Sequence, residues 1–260
     1  MKNIFAVLVG IALAMLSHLV LAAPVVVNAL TGTAQAIPGA GAPRSLRNGD
    51  EVDQGDTVAT GENSSLILRF DDGQVVALAS RSRMVVNAYA YNRAEPAKSN
   101  ILLSLLNGSM RAITGLVGRN NPASVSYRVR NVTVGIRGTD VTLATADGDV
   151  AVTVADGSIG FTFNGQTVLI PAGEGARTLP DGTVQSAPAA QIIAAVAAQN
   201  PALGALLQAV NSATLQNAVR DALRQSQQPS SPPTSPLGTP RPSGSTTGTG
   251  GTGGGSPSKS

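Results

Sequence analysis

The chain has 260 residues, 18 basic and 15 acidic, with no Cys, no Trp and a single His. Charged residues make up 13% of it, against roughly a quarter in an average soluble domain, and aromatics only 3%. This composition excludes disulfides, thiol nucleophiles and zinc-thiolate sites, offers little surface for stacking sugars or bases, and at a net charge of +3 gives no electrostatic case for nucleic acid.

The first predicted element is a secretory signal over residues 1–22. Lys2 supplies a positive start, residues 4–16 are apolar apart from Gly10, and Val20 and Ala22 occupy the two positions read at cleavage. Cleavage is expected after Ala22. It would also remove His18, leaving no imidazole, and would place the mature protein in the periplasm or outside the cell. The membrane would then be met only through this signal, before its removal.

Residues 24–186 read as an all-β globular domain. Leu66, Leu68 and Phe70 share one face; Val125, Tyr127 and Val129 share another, while Ser126, Arg128 and Arg130 point away. Asn-Gly or Asp-Gly pairs begin at residues 48, 72, 107, 147, 156, 164 and 181, and each marks an expected tight turn, because these residues accept positive φ. Gly148, Gly157, Gly165, Gly173 and Gly182 follow one another in steps of eight or nine residues, one short strand and one turn per step. A short-strand sandwich or a solenoid-like stack is therefore expected. The apolar alternation changes phase between Arg130 and Val132, which predicts a bulge or corner near Asn131.

Residues 187–226 form an Ala-rich segment, uncharged as far as Val219. Pro188, Pro201 and Ser212 are placed to open three short helices, the last carrying Leu215, Val219 and Leu223 on one stripe. Gln191, Gln199, Asn200, Pro201 and Gln208 argue against a membrane span, so the segment is expected to pack on the sheet or on another chain. Residues 227–260 hold 8 Gly, 7 Pro and 14 Ser or Thr and are expected to be disordered.

Few side chains suggest chemistry. Asp71–Asp72, Asp147 with Asp149, and Asp50–Glu51 with Asp53 are carboxylate clusters of the kind used in hydrolysis or weak Ca²⁺ binding. All fall in expected turns, where Asp is favoured for bonding its own backbone, so no catalytic residue, metal or cofactor is assigned. Ser256 and Lys259 have the spacing of serine acyl-enzymes but lie in the tail. Arg128, Arg130 and Arg137 lack interleaved aromatics beyond Tyr127 and read as a solvated strand face. In Val134-Gly-Ile-Arg-Gly-Thr-Asp-Val141, however, two glycines flank Ile136-Arg137, which implies close backbone approach or a sharp bend. Arg137 is expected there as a structural residue, its donors taken up by Asp140 or nearby carbonyls.

Gly135-Ile136-Arg137-Gly138-Thr139, with a strand on each side and Asp140 following, resembles the G-[VI]-R-G-T signature of the FecR domain family. The resemblance runs in order from Gly49-Asp50 through Gly55–Gly61, Ser65–Phe70 and Asp72-Gly73 to Asp147-Gly148, Val152–Val154 and Gly157, about residues 45–160. In the family's sensor regulators a cytoplasmic segment acting on a sigma factor precedes one membrane span and a periplasmic domain. Here a signal peptide alone is expected before the domain. The resemblance thus implies an exported, β-rich, non-enzymatic domain that binds a protein partner or serves as a scaffold in the bacterial envelope, with signature residues 135–140 structural. A cell-envelope carbohydrate binder and a signal-transduction regulator are the alternatives. The first would want exposed aromatics, but Tyr89, Tyr91, Tyr127, Phe70, Phe161 and Phe163 sit mostly at core-like positions.

Overall fold

The computed structural model describes residues 25–95 and 98–227; the expected leader, the tail from residue 228 and the Ser256/Lys259 pair lie outside them. In chain order the strands are β1 (Val25–Thr31), β2 (Ala34–Ile37), β3 (Arg44–Ser45), β4 (Glu51–Val52) and β5 (Thr57–Thr60). Next come β6 (Ser65–Phe70), β7 (Val75–Leu78), β8 (Arg83–Ala90), β9 (Asn100–Ile113) and β10 (Val125–Val129). The last are β11 (Val132–Ala146), β12 (Asp149–Phe163), β13 (Gln166–Pro171), β14 (Glu174–Thr178) and β15 (Val184–Pro188). All of them join one branched, hydrogen-bonded sheet, which the pairings fold into two layers.

Three long strands are shared between the layers. The first halves of β9 and β11 and the second half of β12 pair with β8, β10 and β13, and β5, β2 and β3 extend this front layer. The other halves pair with β7 and β14, and β6, β1, β4 and β15 complete the back layer. Alternation then does the rest: one face of each layer turns inward, and Leu66, Leu68, Phe70, Leu103, Tyr127, Val134, Leu143 and Phe161 meet in a single core. The ring of Tyr89 stands edge-on to Phe70, with centroids 4.9 Å apart.

The bends of the long strands fall at Gly108, Gly138 and Gly157, all at positive φ. Arg137 faces Ser158 and Asp140 faces Asp156, so Gly138 and Thr139 oppose Gly157 alone, as in a β-bulge. This corrects the reading of Asn107-Gly108 and Asp156-Gly157 as turns. Both lie inside strands, because a left-handed glycine bends a strand as readily as it closes a hairpin. The phase change near Asn131 is likewise neither bulge nor corner: Val129 pairs with Val132, and Arg130 at φ 53° opens a two-residue hairpin.

The back layer's outer face is apolar and covered. A short helix, α1 (Leu116–Asn120), follows β9; α2 (Ala189–Gln199), α3 (Pro201–Ala209) and α4 (Ala213–Gln227) follow β15. Pro188 ends β15 and precedes α2, while Pro201 is the first residue of α3 and the Asn200 side chain caps it by accepting from the Leu203 N–H. Ile192, Val196, Leu203 and Leu207 pack on Ala144 and Ala151; Leu215, Val219 and Ala222 pack on Ile67, Val75 and Ala77. None of the described helices is long and apolar enough to cross a membrane.

The bend generates a paired test. A Cβ on Gly157 would run into the main-chain carbonyls of Gly138 and Arg137, at a φ of +73° that L residues disfavour. Gly157→Ala is expected to cost about 2–3 kcal/mol in a urea melt. Gly135→Ala, with nothing within 4 Å of the added carbon, should stay within about 0.5 kcal/mol.

Candidate functional site

The signature segment divides its residues between three surroundings. Ile136 is buried in the core. Gly138 makes the bend, and Thr139 is fixed behind it: its N–H donates to Thr114 Oγ1 at 2.9 Å, while its carbonyl accepts from the Thr114 N–H at 2.9 Å. Asp140 emerges on the outer face of the back layer, where Arg111 of β9 grips it with two bonds, Nε to Oδ1 at 2.8 Å and Nη2 to Oδ2 at 2.6 Å. Each side chain is only 17% exposed, and the hydrogen bond to Asp140 holds the guanidinium pKa above its ordinary value. Gly135 and Arg137 face outward on the front layer.

Arg137 therefore does not behave as the sequence suggested. It is exposed, and among the described residues nothing pairs with its guanidinium. The expected partner, Asp140, lies past the bend on the opposite face of the molecule and belongs to Arg111. Sequence reasoning passed over Arg111 because its partner is set by the pairing of Val141 with Ala112, 29 residues apart.

The carboxylate clusters do not converge. Asp71 is exposed, whereas Asp72 is buried and accepts from the N–H groups of Gln74 (3.1 Å) and Val117 (3.2 Å), tying the β6–β7 turn to the start of α1. The Tyr127 hydroxyl donates to Gln74 Oε1 beside it at 3.0 Å. Burial raises the Asp72 pKa, and burial together with the nearby Asp72 charge raises those of Tyr89 and Tyr127. Asp149 Oδ2 accepts from the Asn200 side chain at 3.2 Å; Asp147 stands exposed in the β11–β12 turn. Asp50 accepts from the Arg47 N–H at 2.8 Å, and Glu51 and Asp53 are exposed. Among the described residues no group of three or more His, Cys, Asp or Glu is arranged to hold a metal. The described aromatic side chains are buried or half-buried, leaving no stacking platform.

What remains open is the front face. A trough of about 630 Å³ crosses β10, β11, β12 and β13, floored by Ser126, Gly135 and Gly160 and flanked by Thr133, Thr162, Pro122 and Arg137. Gly135 and Gly160 are direct cross-strand partners, so their missing side chains make one gap. A second hollow of about 550 Å³ beside it is lined by Ser104, Leu106, Arg128 and Arg130. Leu106 and Leu169 are 46% and 60% exposed.

Shared bent strands, a two-sided core and a signature placed at the bend define a two-layer β-domain with one face covered by helices and one bare. Residues 56–160 match the family model described as FecR protein, and the chain carries a FecR domain over that span. Two crystal structures, at 1.65 and 2.50 Å, of a protein from Parabacteroides distasonis ATCC 8503 described as a candidate anti-sigma factor are similar to this chain. Each is 15% identical, with TM-scores of 0.41 and 0.43, covering 51% and 55% of this chain. This chain spans 59% and 64% of theirs. No curated protein matches it.

Two outcomes are expected from these contacts. Asp140→Asn or Arg111→Leu should each cost about 2–3 kcal/mol, since either leaves a largely buried charge without its counterpart, whereas Arg137→Ala should change the unfolding midpoint by no more than about 0.5 kcal/mol. For Asp72, the folded pKa lies above the unfolded value of 3.8, so the fold favours the protonated form. Its contribution is then greatest below about pH 4 and declines as the pH rises through the elevated folded pKa. Asp72→Asn cannot ionise, and its stability deficit relative to wild type should shrink as denaturant melts move from about pH 4 to pH 7.

Proposed function

We propose that this protein is an exported, non-enzymatic binding module of the bacterial cell envelope, and that the front face of its β-domain is where a protein partner docks. The observation that carries the reading is the inequality of the two outer faces. The back face has its apolar side chains sealed by α2, α3 and α4. The front face keeps two exposed leucines, two open hollows and arginines with no carboxylate partner among the described residues. Hollows this open cannot enclose a small substrate or exclude water from a reaction, but they suit a surface that another chain completes. The signature contributes by shape: residues 136 and 138–140 hold the bend, and the bend sets the face.

A photo-crosslinking side chain at Thr133, on the front face, tests this in the native cell envelope. A discrete protein adduct is expected there and not from the same group at Gln191, an exposed position of α2. Equal labelling at both positions, or none at Thr133, removes the front face as the docking surface. The mature protein recovered in the same experiment should begin at Ala23; a start at Met1 removes export.

A further inference from the structure

The charge on the front face says what kind of chain lies there. None of the front-layer strand segments, β2, β3, β5, β8, β10 and β13 with their shares of β9, β11 and β12, contains an Asp or Glu. Arg83, Arg128, Arg130 and Arg137 are all exposed, and none has a carboxylate partner among the described residues. Four other arginines have carboxylate partners, Arg44 with Asp56, Arg81 with Glu62, Arg111 with Asp140 and Arg224 with Asp221. Four uncompensated cations on one face exceed the whole chain's net charge of +3. The described carboxylates lie in turns and loops, in back-layer strands or on α4.

Shape narrows the occupant further. A Cβ built on Gly135 meets nothing within 4 Å, and one on Gly160 meets only the Thr167 methyl at 3.5 Å. The floor of the trough is thus bare main chain, and an extended segment can lie on it without displacing a side chain. Hydroxyls of Ser126, Thr133 and Thr162 line it and offer hydrogen bonds to a peptide backbone. Arg128 faces Thr133 across one strand gap, and Arg137 is four residues further along β11. At strand spacings, the two guanidinium-bearing positions are roughly 14 Å apart, about four residues of an extended chain. Residues i and i+4 of such a chain point to the same side.

We infer that the front face binds an extended acidic segment of the protein partner, laid over the trough and the hollow beside it, with carboxylates four residues apart seated on Arg137 of the one and Arg128 of the other. This rests on the docking reading above and adds the chemistry of what docks. A nucleic-acid strand would satisfy the arginines but finds no exposed ring on which to stack its bases.

The test uses the full chain and a fluorescent, Thr-rich peptide of about ten residues bearing two Glu four positions apart, followed by anisotropy at about 0.1 M salt. Replacing both Glu by Gln, or placing them side by side, is expected to weaken binding about tenfold. Arg128→Gln and Arg137→Gln should each weaken it about tenfold with unchanged melting temperature, and Arg220→Gln on α4 should leave it alone. The inference is overturned if the peptide fails to bind, if Glu spacing has no effect, or if a single-stranded DNA of similar charge binds as tightly. A failed peptide alongside a Thr133 adduct would sink the acidic occupant and keep the docking face; loss of the adduct as well would sink both.

Discussion

Three strands must serve two layers, and the rest of the molecule follows from how they turn from one to the other. A strand passing between layers has to keep its inward side chains inward on both sides of the bend, which an unbroken period of two cannot do without an extra residue. Gly138 and Thr139 opposite Gly157 supply that residue, and Thr114 ties the bulge by bonds to the Thr139 N–H and carbonyl. Because a Cβ at Gly157 has no room and Gly138 sits at φ 59°, the bend is written in main-chain geometry rather than side-chain packing. Val132, Val134 and Ile136 before it, and Val141 and Leu143 after it, then reach the same core.

The bend also sends the two outer faces in different directions, and composition does the sorting. Beyond it, β6, β7, β11 and β12 turn apolar residues outward, Ile67, Val75, Ala77, Ala144 and Ala151, on which helices pack. Before it, the outward positions include Ser104, Ser126, Arg128, Thr133 and Gly135 beside the exposed Leu106, a surface too polar for an apolar helix to cover. Asp140 is the first outward residue past the bend. Its grip on Arg111 neutralises a charged pair that lies beside Gln216 and Val219 of α4.

Much of this was legible in the chain. Alternation at 66–70 and 125–129, the turn pairs at 147–148 and 164–165, and the proline-led helices all correspond to elements of those types. What the sequence could not separate was a glycine that ends a strand from one that bends it. Asp147-Gly148 and Asp156-Gly157 look alike, yet only the first is a turn, because the pairing of β11 with β12 continues past the second. The separation of Arg137 from Asp140 has a related cause. Within a strand, proximity in sequence assigned Asp140 to Arg137, but a bend between them puts the two on opposite faces, and the partner comes from a strand 29 residues away. Asp72 bonds its own turn through the Gln74 N–H, as a turn Asp is expected to, but nothing local shows that α1 closes over it.

The division of labour within Gly135–Asp140 explains why such a motif can identify a fold without identifying a ligand. Four of its six residues, Ile136, Gly138, Thr139 and Asp140, point into the core, the bulge or the buried ion pair, and their constraints are met inside the chain. The other two, Gly135 and Arg137, share one face, one by removing a side chain and the other by presenting a cation that no described residue pairs with. An intramolecular salt bridge to Arg137 would have made the segment purely architectural. With Asp140 turned away to Arg111, the same six residues both build the bend and leave one unsatisfied charge at the mouth of a side-chain-free trough. That leftover charge is the part of the signature whose pairing the described residues do not complete.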